Sequence, residues 1–230
     1  ETVTLSTKIK TIGTYTFFNA KSLKTATVNY KTVGHMFDGC SVLETVTLAT
    51  SITSIADYAF RVCSLLKNIN LSNVTNYGSY SFYQAGLTSV TLASGVTLGA
   101  YTFAECNDLA SVNIQGAITT SNGYQFDACK NLTTVTAVST FKEVPVGFFR
   151  NCSSLQTFDF TNVTYIKESG FEGAGFTTLT IPRTVVSQVT NIIKILEIVP
   201  LRCPFPTISS SLTMVNKNEL IKGKINALKA

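Results

Sequence analysis

SITSIADYAFRVCSLLKNINL, residues 51–71, decides the fold, because it recurs with variation along the whole first part of the chain. Its Phe60 has counterparts at Phe17, Phe37, Phe82, Phe103, Phe126, Phe149 and Phe171, each 20 to 23 residues from the next. A steady period of that length is the mark of a repeat architecture. Three residues beyond each Phe stands a small side chain: Ala20, Cys40, Cys63, Ala85, Cys106, Cys129, Cys152 and Ala174. Farther on, the units carry an L-x-x-V-x-L segment, as in LETVTL (43–48), LKNINL (66–71), LTSVTL (87–92), LASVNI (109–114), LQTFDF (155–160) and FTTLTI (176–181). Strand alternation turns the Val and the last Leu inward and the residues beside them outward. Before the Phe, pairs such as Ile9/Ile12, Ile52/Ile55 and Val163/Ile166 mark a second, shorter extended segment.

One such unit cannot bury its own apolar face. Units stacked about 4.8 Å apart share a continuous core and hydrogen-bond their backbones to one another. The expected fold is therefore a solenoid of eight Phe-centred units over residues 1–181. Phe, a small residue and Leu at i, i+3 and i+6 suit a helical turn better than a strand, so a short α or 3₁₀ piece is expected there. Two units break the pattern: residues 28–37 are short, with Val33 only four before Phe37, and residues 137–149 carry Val144-Pro145. The stack should be irregular at both. From Pro182 the pattern stops, and residues 182–230 are expected to form a C-terminal cap over the open end. IIKILEI (192–198) offers it a strand. NELIKGKINALK (218–229) offers a helix, with Leu220, Ile221, Ile225 and Leu228 on one face and Asn218 as N-cap.

The 51–71 stretch and its copies resemble the BspA-like leucine-rich-repeat family, whose units carry I-x-x-x-x-F-x-x-C-x-x-L-x-x-V-x-L. The resemblance covers about residues 1–181. It implies a right-handed, β-rich leucine-rich-repeat solenoid with a parallel sheet on the concave face and short helical turns and strands elsewhere. It also implies a place among cell-surface or secreted proteins that attach to host or matrix components. The expectation is an extracellular, monomeric adhesion module that binds protein or glycan through one face. A structural spacer that displays another domain is the alternative.

Composition narrows the function classes. Of the 230 residues, 45% are hydrophobic, which suffices for a large core, and only 13% are charged, about half the usual share. Thr, Ser and Asn must supply most of the surface. Residues 1–181 hold 11 basic and 11 acidic residues, so no cationic track runs along the repeats and nucleic acid is not an expected partner. The excess of +5 comes from residues 182–230, where Lys217, Lys222, Lys224 and Lys229 read as the solvated side of the cap helix. The most apolar run, residues 192–199, is broken by Lys194 and Glu197, too short and too charged to span a bilayer.

Five of the six cysteines sit in the small-residue column, where Ala replaces them in three units. That exchange reads as buried free thiols and not as a disulfide framework. Cys203 stands outside the column. No C-x-x-C pair exists and His35 is the sole histidine, so no metal site, cofactor or His-based catalytic set is expected. The acidic residues share no repeat position that would pair them for glycoside hydrolysis. The chain is not expected to be an enzyme.

His35 aligns two residues before its Phe, where other repeats have Tyr15, Tyr58, Tyr80, Tyr101 and Tyr124. These rings form either an exposed aromatic ladder able to grip sugars or proteins, or a half-buried ladder that shields the core. Outward positions of the main strands form two further columns: Thr2, Thr25, Thr45, Asn68, Ser89, Ser111, Thr134, Thr157, Thr178, and Thr4, Thr27, Thr47, Asn70, Thr91, Asn113, Thr136, Asp159, Thr180. They suit simple solubility and strand propensity, a ligand face, or an ice-binding lattice that the Asn, Ser and Asp interruptions weaken. Asn68, Asn70, Asn113 and Asp159, with Thr91 and Thr136 beside them, are the candidate ligand contacts.

Overall fold

The structure is a computed structural model that describes residues 1–30, 33–177, 180–182, 185 and 212–213. The expected cap strand at 192–198, the cap helix at 218–229 and Cys203 lie outside the described residues. The chain alternates long and short strands. It opens with β1 (Thr2–Leu5), β2 (Thr25–Val28) and β3 (Thr45–Leu48). Then come β4 (Ser54–Ile55), β5 (Asn68–Ile69), β6 (Asn76–Tyr77), β7 (Ser89–Leu92) and β8 (Thr97–Leu98). The series continues with β9 (Ser111–Ile114), β10 (Thr119–Thr120), β11 (Thr134–Ala137), β12 (Glu143–Val144), β13 (Tyr165–Ile166), β14 (Thr180–Ile181) and β15 (Leu212–Thr213).

The long strands pair parallel, coil on coil, as β1-β2-β3-β5 and β7-β9-β11. The short strands form a second parallel set, β4-β6-β8-β10, followed by β12-β13. β14 and β15 pair antiparallel, the one departure from parallel stacking among the described residues. The repeat alignment matches the strand register: Thr2 lies beside Thr25, Thr25 beside Thr45, Thr45 beside Asn68, and Ser89 beside Ser111, beside Thr134. Inward residues such as Ala26, Val28, Val46, Val90, Leu92, Val112 and Ile114 are buried. All belong to one core cluster that runs from Leu5 to Phe176.

Seven of the eight repeat phenylalanines, all except Phe17, are fully buried. Their rings stack from coil to coil with centroids 5.2 to 5.8 Å apart. Burying each is worth about 1.5–3 kcal/mol, so this column is a major apolar contribution to the fold. Phe17 is half-buried.

The Phe-containing turn differs from a plain helical piece. Only His35–Phe37 is a 3₁₀ helix, and no α-helix occurs among the described residues. In unit after unit the residue two places after the Phe is left-handed, with positive φ at Asn19, Gly39, Val62, Gln84, Glu105, Ala128, Asn151 and Gly173. From the third unit onward the residue two places before it is left-handed too: Tyr58, Tyr80, Tyr101, Tyr124, Gly147 and Ser169. Alternating handedness splits the amides into two sets. The odd set bonds locally, as Ala59 N to Ala56 O, Arg61 N to Tyr58 O and Cys63 N to Phe60 O. The even set donates forward to the next coil, as Tyr58 N to Ser79 O, Phe60 N to Ser81 O and Val62 N to Tyr83 O. Left-handed backbone disfavours non-glycine residues. The forward bonds and the ring stacks are what hold it in place here.

Both predicted irregularities occur. At 28–37, Val33 makes only an isolated bridge to Ile55 in place of a strand pair. At 144–145 the cause is chemical. In the other coils the residue after the second strand donates its amide to the preceding coil: Ala56 to Val33 O, Gly78 to Ile55 O, Gly99 to Tyr77 O, Ser121 to Leu98 O, Lys167 to Val144 O. Pro145 occupies that position and has no N–H to give. The second sheet accordingly breaks between β10 and β12.

Candidate functional site: the outward face of the main sheet

The outward columns are where side chains meet solvent in a regular array. Asn68, Asn70, Thr91, Thr136 and Asp159 are exposed and Asn113 is half-buried. They do not all behave alike. Thr136 Oγ1 donates to Asn113 Oδ1 at 3.0 Å, which ties two neighbouring coils through side chains. Asn70 Oδ1 accepts from Ser72 N at 3.0 Å, and Asp159 Oδ1 from Thr161 N at 2.9 Å. These are Asx turns, in which a side chain takes a backbone donor away from the ladder.

The consequence is visible in the sheet. Elsewhere the amide just past the strand donates to the preceding strand, as Asn29 N to Leu5 O, Ala49 N to Val28 O, Gln115 N to Leu92 O and Val138 N to Ile114 O. Ser72 and Thr161 occupy the same position and are captured instead. Capture of Ser72 goes with a β3–β5 pairing shortened to Asn68 and Ile69; the main sheet is also split between β5 and β7, and capture of Thr161 goes with a second split, between β11 and residues 156–161. Inward side chains along these splits lose cover: Ile69 and Leu71 at the first, Val135, Ala137 and Phe158 at the second, are only half-buried. At the second split a groove of about 380 Å³ opens, lined by Thr133, Thr134, Val135, Thr157, Phe158 and Asp159. The exposed Asp159 carboxylate gives the groove a negative charge at neutral pH, as any aspartate would, and hydrogen bonds from Thr161 lower its pKa further.

The tyrosine column is a closed stack. Tyr58, Tyr80, Tyr101 and Tyr124 lie face to face at 5.0 to 5.4 Å with planes within 12°. His35 continues the column towards the exposed Tyr15, at 5.3 Å from Tyr58 and 5.5 Å from Tyr15. Because each ring covers the next, the faces that would grip a sugar are occupied, and the half-buried rings offer edges and hydroxyls. Arg61 lies over Tyr58 and Arg150 over Tyr124. Each guanidinium is also paired with a carboxylate one coil back, Asp38 and Asp127, in a two-bond fork. The fork holds both arginine pKa values above the ordinary one. Sequence reasoning missed these pairs, although the signal was present: Asp38 and Arg61, like Asp127 and Arg150, each follow a repeat Phe directly.

The column thiols are all free and buried. Each donates to the carbonyl of the preceding unit's Phe: Cys40 to Phe17, Cys63 to Phe37, Cys106 to Phe82, Cys129 to Phe103 and Cys152 to Phe126, at 3.0 to 3.2 Å. Burial pushes the Cys106 and Cys152 thiols up to about 12. In two of the Ala units the turn is one residue shorter and Gly follows, at Ala85-Gly86 and Ala174-Gly175. Those glycine amides donate to Cys63 O and Cys152 O, and a Cβ there would strike the Ser64 or Ser153 carbonyl. No His/Cys/Asp/Glu cluster able to hold a metal occurs among the described residues, nor any helix long and apolar enough to cross a membrane.

Six copies of the BspA type leucine rich repeat region match the chain, over residues 1–98 and 78–194. No curated protein matches it significantly. Among solved structures, a leucine-rich repeat protein from Bacteroides ovatus ATCC 8483 is similar at a TM-score of 0.60 and 19% identity, over 81% of this chain and 56% of that one. The chain thus spans little more than half the length of that relative. The T. pallidum leucine rich repeat protein is similar at a TM-score of 0.58 and 26% identity, over 67% of this chain and 77% of that one.

Proposed function

This chain belongs to the BspA-type leucine-rich-repeat family, and from that premise we propose that it is a non-catalytic adhesion module, displayed on a cell surface or secreted, that binds a host or matrix protein or glycan through the outward face of its main sheet. The observation that carries this reading is the registered array of exposed and half-buried Thr, Ser and Asn side chains on that face, strand beside strand. Short hydroxyls and amides at regular spacing give many hydrogen-bonding points at low entropy cost, and the neutral charge leaves the choice of partner to geometry. The tyrosine column is the weaker candidate because its ring faces are already stacked on one another.

Binding of the full chain to an array of matrix proteins and glycans tests the proposal. Asn68→Ala, Thr91→Ala and Asn113→Ala combined should lower binding of whatever is captured by tenfold or more. Tyr80→Phe, which removes one hydroxyl of the ladder, should leave it unchanged. A spacer would lose nothing in either variant. Asn70 and Asp159 are unsuitable for this purpose, since replacing them also alters the backbone.

A further inference from the structure

The two splits of the main sheet are not equivalent. Between β5 and β7, the far side stays closed, with Val90 and Leu92 buried. Between β11 and residues 156–161 the near side is open at Val135 and Ala137 and the far side at Phe158, with Phe160 still buried. In other coils the carbonyl one residue before the long strand and the one that ends it accept amides from the next coil, as Ala110 O accepts from Thr133 N and Ile114 O from Val138 N. The corresponding acceptors at the split are Thr133 O and Ala137 O, and no hydrogen bond joins residues 133–137 to residues 156–161. Gln156 N does not reach Thr133 O, and Thr161 N is held by Asp159. The slit therefore combines unpaired strand backbone, uncovered apolar side chains and one exposed carboxylate.

We propose that this slit is a peptide-docking groove, in which an extended segment bearing alternating apolar and basic side chains pairs its main chain with β11. Backbone groups on a strand edge are satisfied most completely by another extended backbone, and alternate side chains then supply selectivity. An apolar side chain of the peptide covers Val135 and Phe158, and a Lys or Arg meets Asp159 at the rim. Asp159 is an exposed carboxylate, ionised at neutral pH as any aspartate is, and so favours a basic side chain at the rim. The proposal rests on the reading of the sheet face as the binding surface and specifies where on that face a protein ligand enters.

The test is a titration of the full chain with acetyl-Val-Lys-Val-Lys-Val-Lys-amide, followed by backbone amide NMR. Shifts should be confined to residues 133–137 and 156–161. N-methylation of alternate peptide amides should abolish them, and the Glu analogue should not bind. Asp159→Asn, which keeps an acceptor for Thr161 N, should weaken the Lys peptide at least fivefold while leaving the Phe-turn amides unshifted. Absence of shifts, equal binding of the N-methylated peptide, or shifts centred on another surface would overturn the groove. If the groove fails while the Asn68/Thr91/Asn113 variant still loses its captured partner, the sheet-face reading stands without it.

Discussion

At the scale of single residues, the cysteine column shows how one position carries two demands. It must be small, because Ala fills it in three units, and it gains when it can donate to a Phe carbonyl across the coil boundary. Cys129→Ala should therefore fold and lose about 1–2 kcal/mol, the worth of a weak buried hydrogen bond and a small void. Chemical denaturation measures it. The same thiols make a pH prediction. Their folded pKa is raised, to about 12 for Cys106 and Cys152, above an unfolded value of about 8.5. Between those values the unfolded chain has lost protons that the folded chain keeps, so stability is constant below about pH 8.5 and falls as pH rises from there. Cys106→Ala should flatten part of that fall. The size of this position was legible from the Cys/Ala exchange, whereas the thiol's acceptor was not, because it belongs to a different coil. The Arg–Asp forks escaped notice for the same reason. Arg150→Leu would leave Asp127 poorly solvated and should cost about 1–3 kcal/mol, against at most about 1 for disrupting the exposed Lys24–Glu44 pair.

At the scale of elements, the strands up to β11 were legible because alternation fixes which side chains face inward, and the observed register reproduces the aligned columns. The strand expected at LQTFDF (155–160) does not form, and Thr180 pairs antiparallel with Thr213 instead of extending its column. The turn was legible only in part. Spacing of i, i+3 and i+6 describes the local bonds correctly, yet it gives no sign that alternate residues turn left-handed and send their amides to the next coil. The residue types announce it only in part: Asn19, Gly39, Asn151 and Gly173 favour the left-handed conformation, whereas Tyr58, Val62 and Glu105 are ordinary side chains in an uncommon one. The breaks in the sheets are better encoded. Pro145 removes a donor by its own chemistry, and Asp159 diverts one at the split after β11, whereas no residue type accounts for the split between β5 and β7. Pro145→Ala restores the missing N–H, worth about 0.5–1.5 kcal/mol if it reaches the preceding coil, and loosens the unfolded chain by about 0.4–1 kcal/mol. The two nearly cancel. The variant should be close to neutral in stability, and its new amide at position 145 should exchange slowly in deuterium.

At the scale of the whole molecule, the sheet that names this kind of repeat is discontinuous, and the Phe turn is continuous. Forward amide bonds link every successive pair of the eight Phe turns, from Phe17 N to Met36 O through Phe149 N to Gly170 O, while the main sheet is interrupted between β5 and β7 and again after β11, and the second sheet between β10 and β12. The stacked phenylalanines and their hydrogen-bonded turns form the spine of the solenoid, and the sheet face is free to carry openings. A repeat array of this kind fails from its weakest neighbour contact outward. Phe103→Ala in mid-stack should cost about 3–5 kcal/mol, clearly more than Phe17→Ala, where the ring is half-buried. Native-state hydrogen exchange resolved to single amides tests the claim most directly. Amides of the repeat phenylalanines from Phe37 to Phe149 should form the slowest class and exchange at nearly one rate across all coils, with residues 156–161 and 67–72 faster. Early exchange at those phenylalanines, with slow and uniform protection across both sheet splits, would contradict it.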